Sequence, residues 1–329
     1  MAGPPFETTD AHATRSLPTL PEPLSGIIAE LGRWVDAHLH ITTVAEPLYH
    51  YTSIAGCCGI ISSDQVWHTS VEQMNDPKEL KLTHDILAGL IPPRMRSDER
   101  AQLVLNGFMR SARNLTKWFR TYTASFSREA GGEYQWTEYG NKHRGACLVI
   151  NPALFTPSGE AMGNRHPLEQ VFVSDVRYGA HVAETELNAA LDRVIEAVPS
   201  GILDGGYSKE TVTAFAVELQ KKLATSLIWT SLTTKETKWA QEREVRLIVS
   251  NDRRLLLPHQ QRRRGKLRRI DYIAPSFVQA CGQSIRAPGS LHKIIVGRDA
   301  SAEDQEALME TLRHYGLEVS VERAAPTSA

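Results

Sequence analysis

The sequence predicts an α+β fold, and three observations carry that expectation. Apolar periodicity switches repeatedly between 2 and 3.6 along the chain, without the regular strand–helix alternation of a parallel α/β sheet. Two long amphipathic patterns, at 183–198 and 209–228, follow each other directly instead of each succeeding a strand. With 329 residues, 41% hydrophobic and 23% charged, the composition suffices for one large core or two modest ones and excludes disordered, collagen-like or repeat-dominated chains.

In order, residues 1–24 carry five prolines among small and polar residues and read as a disordered tail. An N-terminal helical unit over 25–45 follows, with Ile27, Ile28, Leu31, Trp34, Val35 and Leu39 on one face. Residues 47–53 read as a strand, 54–61 as a short helix or turn, and 65–69 as a second strand. Asp76 is placed as an N-cap, with Pro77 at the first helical position and Glu79 completing a capping box; Asn75 precedes them. Helices are expected over 80–91 and 98–119, and strands over 122–127, 145–150 and 171–178. The helical insert spans about 180–230. Strands return at 244–250, near 269–274 and at 293–297, before a helix over 302–314, a strand over 317–322 and a loose tail over 323–329. Residues 46–322 form one catalytic-type domain in this reading.

Charge and cysteine usage narrow the function classes. Lys+Arg 37 against Asp+Glu 38 leaves a formal net charge of −1, so no global field draws the chain to a polyanion or membrane. No apolar run approaches the roughly 20 residues of a spanning helix, and the N-terminus lacks the basic and apolar regions of a signal peptide. Cys57, Cys58, Cys147 and Cys281 show no paired spacing, which fits a reducing cytoplasm.

Three clusters bear on chemistry. The His38-Leu39-His40 spacing is that of strand-borne metal ligands, but it closes a helical pattern, where residues two apart point about 200° apart and do not share an ion; no metal is assigned. A basic stretch runs over 253–269 through Arg262, Arg263 and Arg264. No aromatic residue is interleaved, so the stretch reads as an exposed connector between two strands, with a phosphate-bearing ligand kept as the alternative. In Glu242-Arg243-Glu244-Val245-Arg246-Leu247, a strand puts Glu242, Glu244 and Arg246 opposite the apolar Val245 and Leu247. That polar face is either a cleft or the salt-bridged solvent face of an edge strand.

The ordered blocks YHYTS, GII, VWHTS, NDPKE, FSRE, WTEYG, GACLVI and KWAQEREVRLIV resemble the bacterial family called domain of unknown function 2971, in pieces over about 47–297. That family is in turn similar to the ADP-ribosyltransferases, which implies a split β-sheet core with a helical insertion. The resemblance implies that His50 on the first strand holds the dinucleotide with Tyr51, Thr52 and Ser53. Trp67 or His68 fills the second-strand position, where no clear tyrosine stands. Glu244 is the late-strand carboxylate, with Glu242 two residues before it as general base and Ser127 and Arg246 nearby. Cleavage of the nicotinamide–ribose bond of NAD develops positive charge on the ribose, which a carboxylate stabilises. The implied activity is an NAD-dependent transfer of ADP-ribose to a macromolecular acceptor, protein or nucleic acid, in a toxin or defence setting. No metal and no membrane are involved. The competing expectation is a catalytically silent module that binds a nucleotide or nucleic acid through the cleft and the 253–269 stretch.

Overall fold

A computed structural model describes residues 18–73, 79–109, 119–155, 170–252, 260–264 and 268–325. The architecture is mixed α+β; the described residues form a ten-stranded sheet in which, among them, only the β11–β12 pair is parallel. Along it run β12 (Ser320–Arg323), β11 (Leu291–Val296), β4 (Ala146–Ile150), β1 (Leu48–Thr52), β3 (Phe119–Ser127), β2 (His68–Ser70), β10 (Arg268–Ile273) and β9 (Gln260–Arg264). The sheet branches at β3. One edge of β3 pairs along its length with β8 (Glu244–Asp252), which also pairs β5 (Gln170–Asp175). Its other edge is shared, Ser127 pairing with Tyr49 of β1 and Thr123 with Thr69 of β2. Between those contacts the Ser125 carbonyl lies 3.0 Å from His50 Nδ1, so a side chain fills the gap between two strands.

Alternation along the strands decides what covers each face. On one face Leu48, Tyr122, Ala124, Phe126, Leu148, Val171, Val245, Leu247 and Ile294 form the main core with α2 (Ile54–Ser63), α8 (Phe277–Cys281) and α9 (Ala302–His314). A serine caps each of these helices: Ser53 accepts from Gly56 N, Ser276 from Gln279 N and Ser301 from Asp304 N. The opposite face carries two smaller apolar patches. Tyr51, Trp136 and Cys147 pack beneath α5 (Glu133–Glu138). Ile248 packs with Val71 and with Trp229 and Leu232 of α7 (Lys209–Thr233).

A separate helical core joins α1 (Leu24–His38), α3 (Glu79–Ser97), α4 (Glu99–Leu105), α6 (Ala180–Glu196) and α7 through Leu31, Leu87, Val104, Leu191, Phe215 and Leu223. The insert expected at 180–230 is thus half of a bundle completed by helices from three earlier segments, because its apolar stripes need partners it does not itself contain.

Several expected boundaries shift. The N-terminal helix ends at His38, whose Nδ1 lies 2.7 Å from Trp34 O. The helix expected over 98–119 breaks after Leu105, where Gly107 takes φ +75°, and Phe119 already belongs to β3. The 171–178 strand divides into β5 and the two-residue β6 (Arg177–Tyr178), which pairs in parallel with β7 (Thr234–Lys235). Residues 260–264 are a strand instead of a connector. The tail is tied through Ala324: Arg323 closes β12 and donates to Arg298 O at 2.9 Å, and Ala324 N donates to Val296 O. The capping-box reading of Asn75, Asp76 and Glu79 lies outside the described residues, apart from the start of α3 at Glu79.

Candidate functional site

Four charged side chains meet between the two apolar patches. Glu244 and Arg246 project from β8 toward the helical side, since their neighbours Val245 and Leu247 point into the main core. Arg246 is fully buried and grips Glu244 with two hydrogen bonds, Nε to Oε1 at 2.9 Å and Nη2 to Oε2 at 3.0 Å; its Nη1 donates to Leu232 O at 2.6 Å. Ser125 of β3, directly opposite Arg246, donates its hydroxyl to Glu244 Oε1 at 2.5 Å. Lys235 enters from β7, and its Nζ stands 2.7 Å from both Glu244 Oε2 and Glu242 Oε2.

Glu242 reaches this lysine by another route than the expected one. Strand β8 begins at Glu244; Glu242 ends the 3-10 turn Thr237–Glu242, and Arg243 between them adopts φ +43°. The turn displaces Glu242 from the strand face and still returns its carboxylate to Lys235. Its backbone is anchored: Ser127 Oγ donates to Glu242 O at 2.7 Å and Gln135 Nε2 to Gln241 O at 2.6 Å. Tyr139, at the end of α5, donates to Glu242 Oε1 at 2.5 Å, while Tyr178 OH accepts from Glu244 N at 2.9 Å. Tyr139 is 38% exposed, and with Trp239, whose ring centroid lies 6.0 Å from Lys235 Nζ, it forms an aromatic rim over the buried charges.

The electrostatics follow from burial and pairing. Burial of Glu244 acts to raise its pKa, but the charges and hydrogen bonds of Arg246 and Lys235 more than reverse this and hold the carboxyl well below the usual carboxylate range. Burial and the neighbouring Glu242 push the Tyr139 phenol up, keeping it a proton donor. Two anions and two cations, each under a tenth exposed, balance one another. The second of the two expectations for the Glu244 face is corrected: β8 lies between β3 and β5, so this is not the solvent face of an edge strand.

The sequence-derived set divides between the two faces of the sheet. Tyr49, Ser127 and Glu244 stand in one cross-strand row, because Tyr49 pairs Ser127 and Ser127 pairs Glu244. His50 pairs Leu148 and Thr52 pairs Ala146, both on the main-core face, so they lie on the opposite side from Glu244. His68 pairs Ile273 and is likewise on the core face, fully buried, with Nδ1 3.0 Å from Val66 O and no hydrogen-bond partner for Nε2 among the described residues. Ser53 is committed to capping α2. Tyr51 is on the Glu244 side and fixes the turn after β3, donating to Glu129 O at 2.9 Å and accepting from Gly131 N at 2.7 Å. Trp67 is 49% exposed and stacks near Tyr272, two strands away from β3. The cluster therefore gathers Glu242, Glu244, Arg246 and Ser127 and leaves out His50, Thr52, Ser53, Trp67 and His68.

Lys235, Tyr139, Tyr178 and Ser125 are the members that sequence reasoning missed as site residues. Lys235 lies seven and nine residues before the two glutamates, a spacing without meaning until the 3-10 turn folds it back. Among the described residues no group of three or more His, Cys, Asp or Glu side chains is arranged to hold a metal ion.

Residues 135–247 match the family described as Protein of unknown function (DUF2971). The resemblance to domain of unknown function 2971 is thereby confirmed over this segment, which contains Tyr139, Tyr178, Lys235, Glu242, Glu244 and Arg246. His50, Trp67, His68, Ser125 and Ser127 lie before it. No match was found among curated proteins or among solved structures. No described helix is long and apolar enough to cross a membrane.

Proposed function

We propose that the chain uses NAD as a donor at the Glu242–Lys235–Glu244 site and transfers ADP-ribose to a macromolecular acceptor in the cytoplasm, on an ADP-ribosyltransferase-like split sheet. The observation that carries this reading is the pair of carboxylates held 2.7 Å to either side of one lysine, beneath the rim formed by Tyr139 and Trp239. In the transfer the ribose C1′–nicotinamide bond breaks, and nicotinamide leaves with the bonding electrons. The positive charge left on the ribose is stabilised by a carboxylate that stays ionised, the role assigned to Glu244. The acceptor's nucleophilic atom bonds to C1′ and surrenders its proton to Glu242.

Lys235 neutralises both carboxylates in the resting site and moves aside when the donor enters, while Arg246 and Ser125 keep Glu244 oriented. Tyr139 and Trp239 supply the stacking surface in place of Trp67, and His50 carries no part of the chemistry. The second reading, a nucleotide-binding module without turnover, is favoured by one observation: all four buried charges are already paired. Nicotinamide release from NAD by wild type and by Glu244→Gln, with and without cell lysate as a source of acceptor, separates the two. Release lost in the variant with NAD binding retained supports the enzyme. No release by folded wild type under any condition sinks it.

A further inference from the structure

Two histidines outside the carboxylate cluster come together on the other face of the sheet. The edge of β3 that faces away from β8 is shared by β1 and β2, through the pairs Tyr49–Ser127 and Thr69–Thr123. One step along each antiparallel pair puts His50 beside Phe126 and His68 beside Ala124, both on the main-core face. The ring centroids of His50 and Phe126 lie 5.3 Å apart, as neighbours across two strands should. Phe126 and Ala124 are two residues apart, so His50 and His68 stand about 7 Å from each other along one strand edge.

Both rings are held in the same tautomer. His50 Nδ1 lies 3.0 Å from Ser125 O, and His68 Nδ1 lies 3.0 Å from Val66 O. A carbonyl oxygen only accepts, so Nδ1 carries the proton in each ring and Nε2 keeps a bare lone pair. His68 is fully buried, and its Nε2 has no hydrogen-bond partner among the described residues, a cost that calls for an occupant. Burial lowers the pKa of His50 and brings that of His68 to about 4, so both rings are neutral. A neutral imidazole that donates Nδ1–H to a backbone carbonyl and presents Nε2 is the form in which histidine ligates metal ions.

We infer that His50 and His68 ligate one transition-metal ion through their Nε2 atoms. Imidazole donors suit zinc, copper, nickel and iron, whereas calcium and magnesium take oxygen. Two protein ligands leave positions for water or an exogenous donor, and the part-exposed His50 is the side from which these enter. The site lies across the sheet from the carboxylate cluster and does not depend on the transfer reaction. Ser125 joins the two, its carbonyl orienting His50 and its hydroxyl donating to Glu244. The sequence hides the pair because its members lie far apart in the chain and meet only through their common partner β3.

The test titrates the full chain, first stripped with a chelator, with Zn(II) in competition with a chromophoric chelator. Zinc-edge X-ray absorption of the loaded chain shows imidazole nitrogen at about 2.0–2.1 Å. His50→Ala and His68→Ala each weaken zinc binding by at least about 10-fold, the smallest loss that removing even an outer partner of a metal ligand brings. His40→Ala, in the other closely spaced histidine pair, leaves the affinity unchanged. Circular dichroism checks the fold of each variant, and the part-exposed position of His50 makes its variant decisive if His68→Ala unfolds. Absence of zinc binding by the folded wild type overturns the inference and leaves a water molecule as the occupant. So does an affinity indifferent to His50→Ala, an equal loss in His40→Ala, or an absorption spectrum without imidazole scattering.

Discussion

The Glu244 cluster and His68 both take ionisable groups out of water and meet the cost in opposite ways. In the cluster two carboxylates and two cations are buried together, and each charge meets one of the opposite sign. His68 is fully buried, and among the described residues no opposite charge stands at hydrogen-bond distance from its ring. Burial is the reason for the difference: a charge removed from water survives only with a counter-charge at hydrogen-bond distance, and a group without one stays neutral.

The contrast predicts a large cost for removing a cation from the cluster. Arg246→Met leaves Glu244 buried without its bidentate partner and costs about 3–5 kcal/mol in urea denaturation. Combining it with Glu244→Gln costs less than the sum of the two single changes, because the orphaned charge is gone. An additive pair would show that the two side chains are not coupled.

His68 shows the other outcome, a buried ionisable group with no counter-charge among the described residues. Burial lowers its pKa to about 4, so the folded state holds the ring neutral. With an ordinary value near 6.5 in the unfolded chain, the unfolded state binds more protons below that pH. The contribution is intact above 6.5 and drains away as pH falls toward 4, amounting to roughly 2 kcal/mol lost at pH 5. His68→Leu removes that part of the pH dependence; an unchanged slope of stability between pH 7 and pH 5 would contradict it. Glu244 acts at lower pH. Its folded pKa is depressed, so its stabilisation is full above the ordinary carboxylate value and drains only below it, and Glu244→Gln flattens that acid limb.

What the sequence determined by itself is local. Period-2 alternation put Glu244 and Arg246 on one side of a strand and Val245 and Leu247 on the other, and the structure keeps that division. Apolar spacing located α1, α6, α7 and α9, and the order of short blocks pointed to the family that matches residues 135–247. These features depend on neighbours within a few residues. What only the tertiary structure decided is which faces meet. His50 was legible as a strand residue, but register with Leu148 turns it to the main core while Ser127 carries Tyr49 toward Glu244. Glu242 joined the site by a 3-10 turn instead of by strand alternation, and Lys235 came with it. Tyr272 acquired Trp67 as a ring neighbour only when β10 paired with β2. Strand pairing is long-range and a one-residue change of register exchanges the two faces of a strand, so no local pattern specifies which side chains converge.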